Sequence, residues 1–165
     1  MFDKNNQQKN IPLQANKNLT LFHIQKKEIN KFENTLKIIL SNFQNIEEKD
    51  KIDLIPDICS EIRKLTDEQK LKFFRILLKY LKDNNIIIEE YFDTGVELCG
   101  LYSNNKNYDE AINLIGILIN DANNYEDKTK NETIMRGLND MYENIITIKD
   151  ELSLNEMKNQ KGNNN

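Results

Sequence analysis

Between residues 19 and 154 the apolar side chains recur every three or four positions, the period of helices that each bury one face. Over 19–44 the stripe is Phe22, Ile29, Phe32, Leu36, Ile39 and Phe43, which predicts a single amphipathic helix. Over 53–64 Ile55, Ile58, Ile62 and Leu65 point inward, with Pro56 in the first turn, where a missing N–H is harmless. Thr66-Asp67-Glu68-Gln69 is the clearest helix start. Thr66 can accept from the N–H three residues on while Gln69 reaches back, as in a capping box. Leu71, Phe74, Leu78 and Leu81 carry that helix to Asp83-Asn84-Asn85. Ile86-Ile87-Ile88 is the one β-like run, and three residues between helices read as a buried entry to the next helix rather than a strand. Further helices are expected over 89–103, 109–121 and 128–146, joined by short links that imply antiparallel neighbours. The expected class is all-α, a right-handed stack of antiparallel helix pairs.

The ends break this pattern. Residues 1–18 read as a disordered basic polar arm and 155–165 as a disordered Asn-rich tail, flanking a helical domain over 19–154. Six lysines against two acids give residues 1–31 a charge of +4, within a chain of net charge -4. An acidic chain disfavours nonspecific nucleic-acid binding as its main activity, while the arm leaves RNA contact open. No apolar run approaches membrane-spanning length, and the N-terminus lacks an apolar signal-peptide core. Cys59 and Cys99 stand alone within apolar-periodic segments, as buried reduced thiols do in a cytoplasmic protein; a nuclear location stays open. The 26 Asn and 22 Ile read as codon bias rather than a physical demand, and two N-x-[ST] triplets are about what chance supplies at that Asn content.

The most informative constellation is Leu98, Cys99, Tyr102, Tyr108, Ala111, Ile115 and Leu118. Large, small, aromatic, then aromatic, small, large, large is the order in a tetratricopeptide-like helical hairpin. Cys99 and Ala111 are small where two helices would cross closely, and Tyr102 and Tyr108 would fill the wedge beside that crossing. Asn104-Asn105-Lys106-Asn107 would turn the chain, since Asn tolerates left-handed backbone. Two features depart from the repeat: Gly95 stands where it has a large aromatic, and no Pro ends the second helix.

Residues 70–148 resemble the N-terminal helical-repeat region of PCI-domain subunits, found in the proteasome lid, the signalosome and the translation initiation complex. The resemblance rests on the amphipathic helix over 71–82, on Ile87-Ile88-Glu89-Glu90 leading into Leu98-Cys99-Gly100-Leu101-Tyr102, and on Asn107-Tyr108-Asp109-Glu110-Ala111-Ile112. A charged break at Glu126-Asp127-Lys128 and a long helix ending near Lys149-Asp150 complete it. It implies a noncatalytic subunit whose helical arm contacts other protein subunits of a large complex. Family members continue into a winged-helix module, and nothing after Leu154 has that pattern, which leaves either a fragment or a short protein using only the arm.

Catalytic chemistry has no foothold in the sequence. His23 is the one histidine, too few for a two-histidine metal site, and the five glycines form no phosphate loop. The adjacent pairs Glu47-Glu48 and Glu89-Glu90 diverge by about 100° on a helix, which suits solvated helix starts better than paired acid and base. No enzyme activity, cofactor or small-molecule substrate is expected. Glu89, Glu90, Asp93 and Glu97 could offer an acidic surface to a basic partner, although a solvated surface is the plainer reading. The leading expectation is a protein–protein interaction scaffold. Its rivals are an RNA-associated protein using the basic arm and a lineage-specific protein that self-associates.

Overall fold

The computed structural model describes residues 13–162, with side chains through Asn155. The helices of the described residues are α1 (Leu13–Gln25), α2 (Ile29–Ser41), α3 (Glu48–Lys51), α4 (Leu54–Arg63), α5 (Asp67–Asp83), α6 (Glu89–Asn104), α7 (Tyr108–Asn123) and α8 (Lys128–Gly162), with a 3-10 turn at Phe43–Asn45. The described residues contain no strand, and no helix is long and apolar enough to cross a membrane. The chain divides into two compact units, Met1–Ile76 and Leu77–Asn165, with the boundary inside α5.

In the first unit the helix expected over 19–44 is two helices. Lys27 takes a left-handed backbone, φ 59°, and its N–H donates to the Ile24 carbonyl while the Glu28 N–H donates to the His23 carbonyl, both at 2.9 Å. That pair of bonds is a Schellman closure. The His23 Nδ1 and Glu28 Oε2 atoms lie 2.9 Å apart across it, and Lys31 donates to Glu28 Oε1 at 2.8 Å. The Lys31 hydrogen bond, then the His23 one, holds the Glu28 carboxyl below its usual range. The break shifts the phase of the stripe: Phe22 is 47% exposed, whereas Ile24 is fully buried. The other buried positions of α1 are polar, Asn16 and Thr20, and the Thr20 hydroxyl satisfies itself on the Asn16 carbonyl at 2.9 Å. From α2 onward most of the expected positions are inside: Phe32, Leu36, Ile39 and Phe43 are buried, as are Ile55, Ile58 and Ile62 of α4, while Ile29 and Leu65 are half-buried. Phe32 and Phe73 pack with ring centroids 4.9 Å apart. Each fully buried Leu, Ile or Phe contributes about 1.5–3 kcal/mol relative to exposure.

α5 starts where its signal lies, with the Thr66 N–H donating to Gln69 Oε1 at 3.4 Å, the reach-back half of the capping box. It buries Phe73 and Leu77 as well as Phe74, Leu78 and Leu81. The second unit begins within this helix. Ile86 is buried just past the α5 closure, and Ile88 is extended, φ -119° and ψ 176°, immediately before α6. The isoleucine run thus joins two helices as extended backbone rather than as a strand. α6 packs on α7, α7 on α8, and α8 also reaches α6. Short links make the consecutive helices antiparallel.

The ends differ from the expected tails. α1 begins at Leu13, within the residues 1–18 read as an arm. The residue before it is Pro12, which suits a helix start and not a helix interior. α8 continues to Gly162, far beyond the expected 146. Its later part holds Glu, Leu, Met, Lys and Gln with no Gly or Pro until Gly162, so nothing interrupts it. The rest of the expected disorder, residues 1–12 and 163–165, lies outside the described residues.

Asparagine has a structural use that composition concealed. Asn42, Asn84, Asn105 and Asn124 each donate their side-chain amide to the carbonyl four residues back, at 2.8–3.0 Å, at the ends of α2, α5, α6 and α7. These carbonyls are among those a helix end leaves unsatisfied.

Candidate functional site

The second unit contains every site residue read from the sequence. Leu98, Cys99, Ala111, Ile115 and Leu118 are buried, while Tyr102 and Tyr108 are half-buried. The Cys99 thiol approaches the Ala111 carbonyl at 3.8 Å, so the two small residues lie where α6 and α7 meet. Gly95 belongs to the same seam. A Cβ there would come within 2.6 Å of both Leu118 methyls, which explains a glycine at this position. In the following turn the left-handed residue is Lys106, φ 61°, rather than one of the asparagines around it. Burial pushes the Cys99 thiol up to about 12, which keeps it protonated and unreactive.

The acidic residues do not share one environment. Glu89 receives the Lys130 ammonium at 2.6 Å, tying the first turns of α6 and α8 together. Lys149 makes the matching tie between α8 and Asp109 of α7 at 2.5 Å. Asp93 is exposed, and Glu90 and Glu97 are half-buried.

Two concavities adjoin this framework. One is a groove of about 350 Å³ between α6 and α8, with Gly100 and Ser103 on one wall and Gly137, Asp140, Met141 and Ile145 on the other. A Cβ at Gly100 or Gly137 would meet nothing within 4 Å, so neither glycine serves internal packing. The other is a pocket of about 450 Å³ where α5 and α7 end, lined by Lys82, Asn85, Asp121, Asn124, Tyr125 and Glu126, with Ile87 as an aliphatic wall.

Asp121 is the lining residue with the most polar partners. Its Oδ2 accepts from the Tyr91 hydroxyl at 2.5 Å and from the Lys82 ammonium at 2.7 Å. Desolvation, and then the hydrogen bond to Asp121, raise the Tyr91 hydroxyl well above its ordinary range and keep it a donor. Tyr91 packs edge-on against Phe92 at 5.2 Å, and Phe92 against Tyr125 at 5.4 Å, so the pocket's aromatic wall is held from behind. Burial also raises the Tyr125 hydroxyl; Lys130 opposes that shift, while Asp127, Glu89 and Glu90 add to it.

Periodicity marked Tyr91, Phe92 and Asp121 only as helix positions. The hairpin seam could have located them: about two turns back from Cys99 and nearly three turns on from Ala111, an antiparallel register brings Tyr91 near Asp121. The described residues hold no group of three or more His, Cys, Asp or Glu placed to share a metal ion. Neither a protein-family model, nor a curated protein, nor a solved structure matches this chain.

Proposed function

We propose that this chain is a noncatalytic protein–protein interaction scaffold, a structural subunit of a multiprotein complex comparable to the helical arm of PCI-domain subunits. The observation that carries this reading is the groove between α6 and α8. Glycine inside a helix costs about 0.5–1 kcal/mol relative to alanine, and Gly100 and Gly137 recover none of it through close packing within the unit. Their shared border with one groove suits a polypeptide that approaches the backbone on both walls. The α6–α7–α8 succession, which supports a helical-repeat stack, supplies the rigid frame. A cytoplasmic assembly of protein subunits, without cofactor or catalytic residue, is the corresponding setting.

Affinity purification at native expression, followed by mass spectrometry, tests this reading. Stoichiometric recovery of other protein subunits supports it, and Gly100→Leu with Gly137→Leu should block that recovery while the fold is kept. Recovery only of RNA-bound proteins that vanish on nuclease treatment would replace it with the basic-arm reading. The exposed Ile148, Leu152 and Leu154 along α8 favour a second reading, self-association. Light scattering decides that one: a concentration-dependent homo-oligomer, with nothing co-purifying, would displace the scaffold.

A further inference from the structure

The pocket between the ends of α5 and α7 has an electrostatic character that its lining alone understates. Lys82 and Asn85 close α5, and Asp121 and Asn124 close α7, so two helix C-termini supply partial negative charge to one cavity. Asp121 and Glu126 add formal charges, and Glu89, Glu90 and Asp127 act on Tyr125 at its edge. The cations nearby are committed, Lys130 to Glu89 and Lys82 to Asp121. Both donors to Asp121 converge on Oδ2. Its Oδ1 has no donor among the described residues and is not sealed away as a buried unsatisfied atom. A half-free carboxylate therefore stands beside a braced tyrosine ring and an isoleucine.

We propose that this pocket receives an arginine side chain from a protein partner, with the guanidinium on Asp121 and Glu126 and its aliphatic stem along Ile87 and Tyr125. The planar fork of arginine suits a carboxylate and can lie against an aromatic face, which a hydrated ammonium does less well. A volume of about 450 Å³ accommodates a side chain with its adjoining backbone. A hard metal ion fits poorly, because it needs six or more oxygens and one of the few here already takes two protein donors. The inference deepens the scaffold reading and names the chemistry by which one partner residue is recognised.

The test is an NMR titration of the 15N-labelled full chain at low salt with N-acetyl-arginine amide. N-acetyl-glutamine amide serves as the neutral probe and spermidine as the free polyamine. Saturable shifts at the Asn85, Asn124 and Tyr125 amides are expected with arginine and not with glutamine, weakening as salt rises. Asp121→Asn keeps an acceptor for Tyr91 and should weaken binding about tenfold. Glu126→Lys, at an exposed position, should do likewise without touching the core, while Glu110→Gln on the first turn of α7 should change nothing. Unmoved amides in the native chain, or equal binding by both charge variants, would overturn the proposal. Tighter binding of spermidine at the same amides would reassign the pocket to free polyamines and overturn the partner arginine. Partner capture without arginine binding would sink this inference and leave the scaffold standing; the converse would separate the two in the other direction.

Discussion

The α1–α2 and α6–α7 pairs are both antiparallel, both joined by a few residues, and both closed by a lysine in left-handed backbone. They bury opposite kinds of surface. Between α6 and α7 small residues let the helices approach, with Gly95 against Leu118 and Cys99 against the Ala111 carbonyl. In α1 the buried positions are Asn16, Thr20 and Ile24, while Leu19 and Phe22 remain exposed. A close crossing constrains side-chain size directly, so the sequence carries its mark. A helix whose polar groups bond to its own backbone can turn either face inward, and tertiary neighbours decide which.

The largest expected effect breaks the α6–α7 pair. Ala111→Trp forces a large ring into a seam where the native Cβ is fully buried beside Cys99. It should abolish the cooperative thermal transition of the second unit, as followed by circular dichroism. An unchanged melting temperature would mean that residues 99–111 are not a packed hairpin. A matched pair then tests the inversion of α1. Ile24→Ala should cost about 2–5 kcal/mol by denaturant titration, and Phe22→Ala less than about 1 kcal/mol despite removing the larger side chain. Equal losses would return Phe22 to the core.

The same contrast explains what was legible. Element positions from α4 to α7 follow from apolar spacing, because each stripe there is continuous and ends in turn chemistry. The division at Lys27 was hidden, since no Gly or Pro marks it and the closure depends on Ile24 and His23 carbonyls finding partners across three polar residues. The arginine pocket was hidden for another reason. Tyr91 and Asp121 are thirty residues apart and acquire meaning only once the hairpin register sets them together. The length of α8 was missed because its apolar stripe fades after Ile148, whereas helix propensity persists.

Alkaline titration sharpens the description of the tight seam. A thiol in an unfolded chain ionises near pH 8.5, whereas burial holds Cys99 to about 12. Above about pH 8.5 the unfolded state therefore binds fewer protons than the folded one, and stability should fall by about 1.4 kcal/mol per pH unit; below that pH this contribution is fully present. Cys99→Ala should flatten the slope between about pH 8.5 and 10, before Tyr91, also raised, adds its own. A slope unchanged by Cys99→Ala would show that the thiol is not sealed. Native protein should likewise resist thiol-specific alkylation at neutral pH, at both buried cysteines.

The smallest effect concerns the feature the two pairs share. Lys27 and Lys106 occupy φ of 59° and 61°, a conformation that costs an L-residue about 1–2 kcal/mol and glycine almost nothing. Glycine also gives the unfolded chain more freedom, which offsets about 0.5–1 kcal/mol of the gain. Lys27→Gly and Lys106→Gly should thus each stabilise by about 0.5–1 kcal/mol and raise the melting temperature by about 1–4 °C. Asn85 closes α5 in the same way at φ 55°, and because Asn tolerates that region, Asn85→Gly should be close to neutral. Differential scanning calorimetry of the three variants decides whether backbone conformation alone sets the effect. At Lys27 the closure also rests on the His23–Glu28 bond, which glycine leaves in place. Equal gains at Lys27 and Lys106 would mean that the two pairs differ only in what they bury, whereas a loss at Lys27 alone would mean that the lysine side chain helps hold α1 to α2.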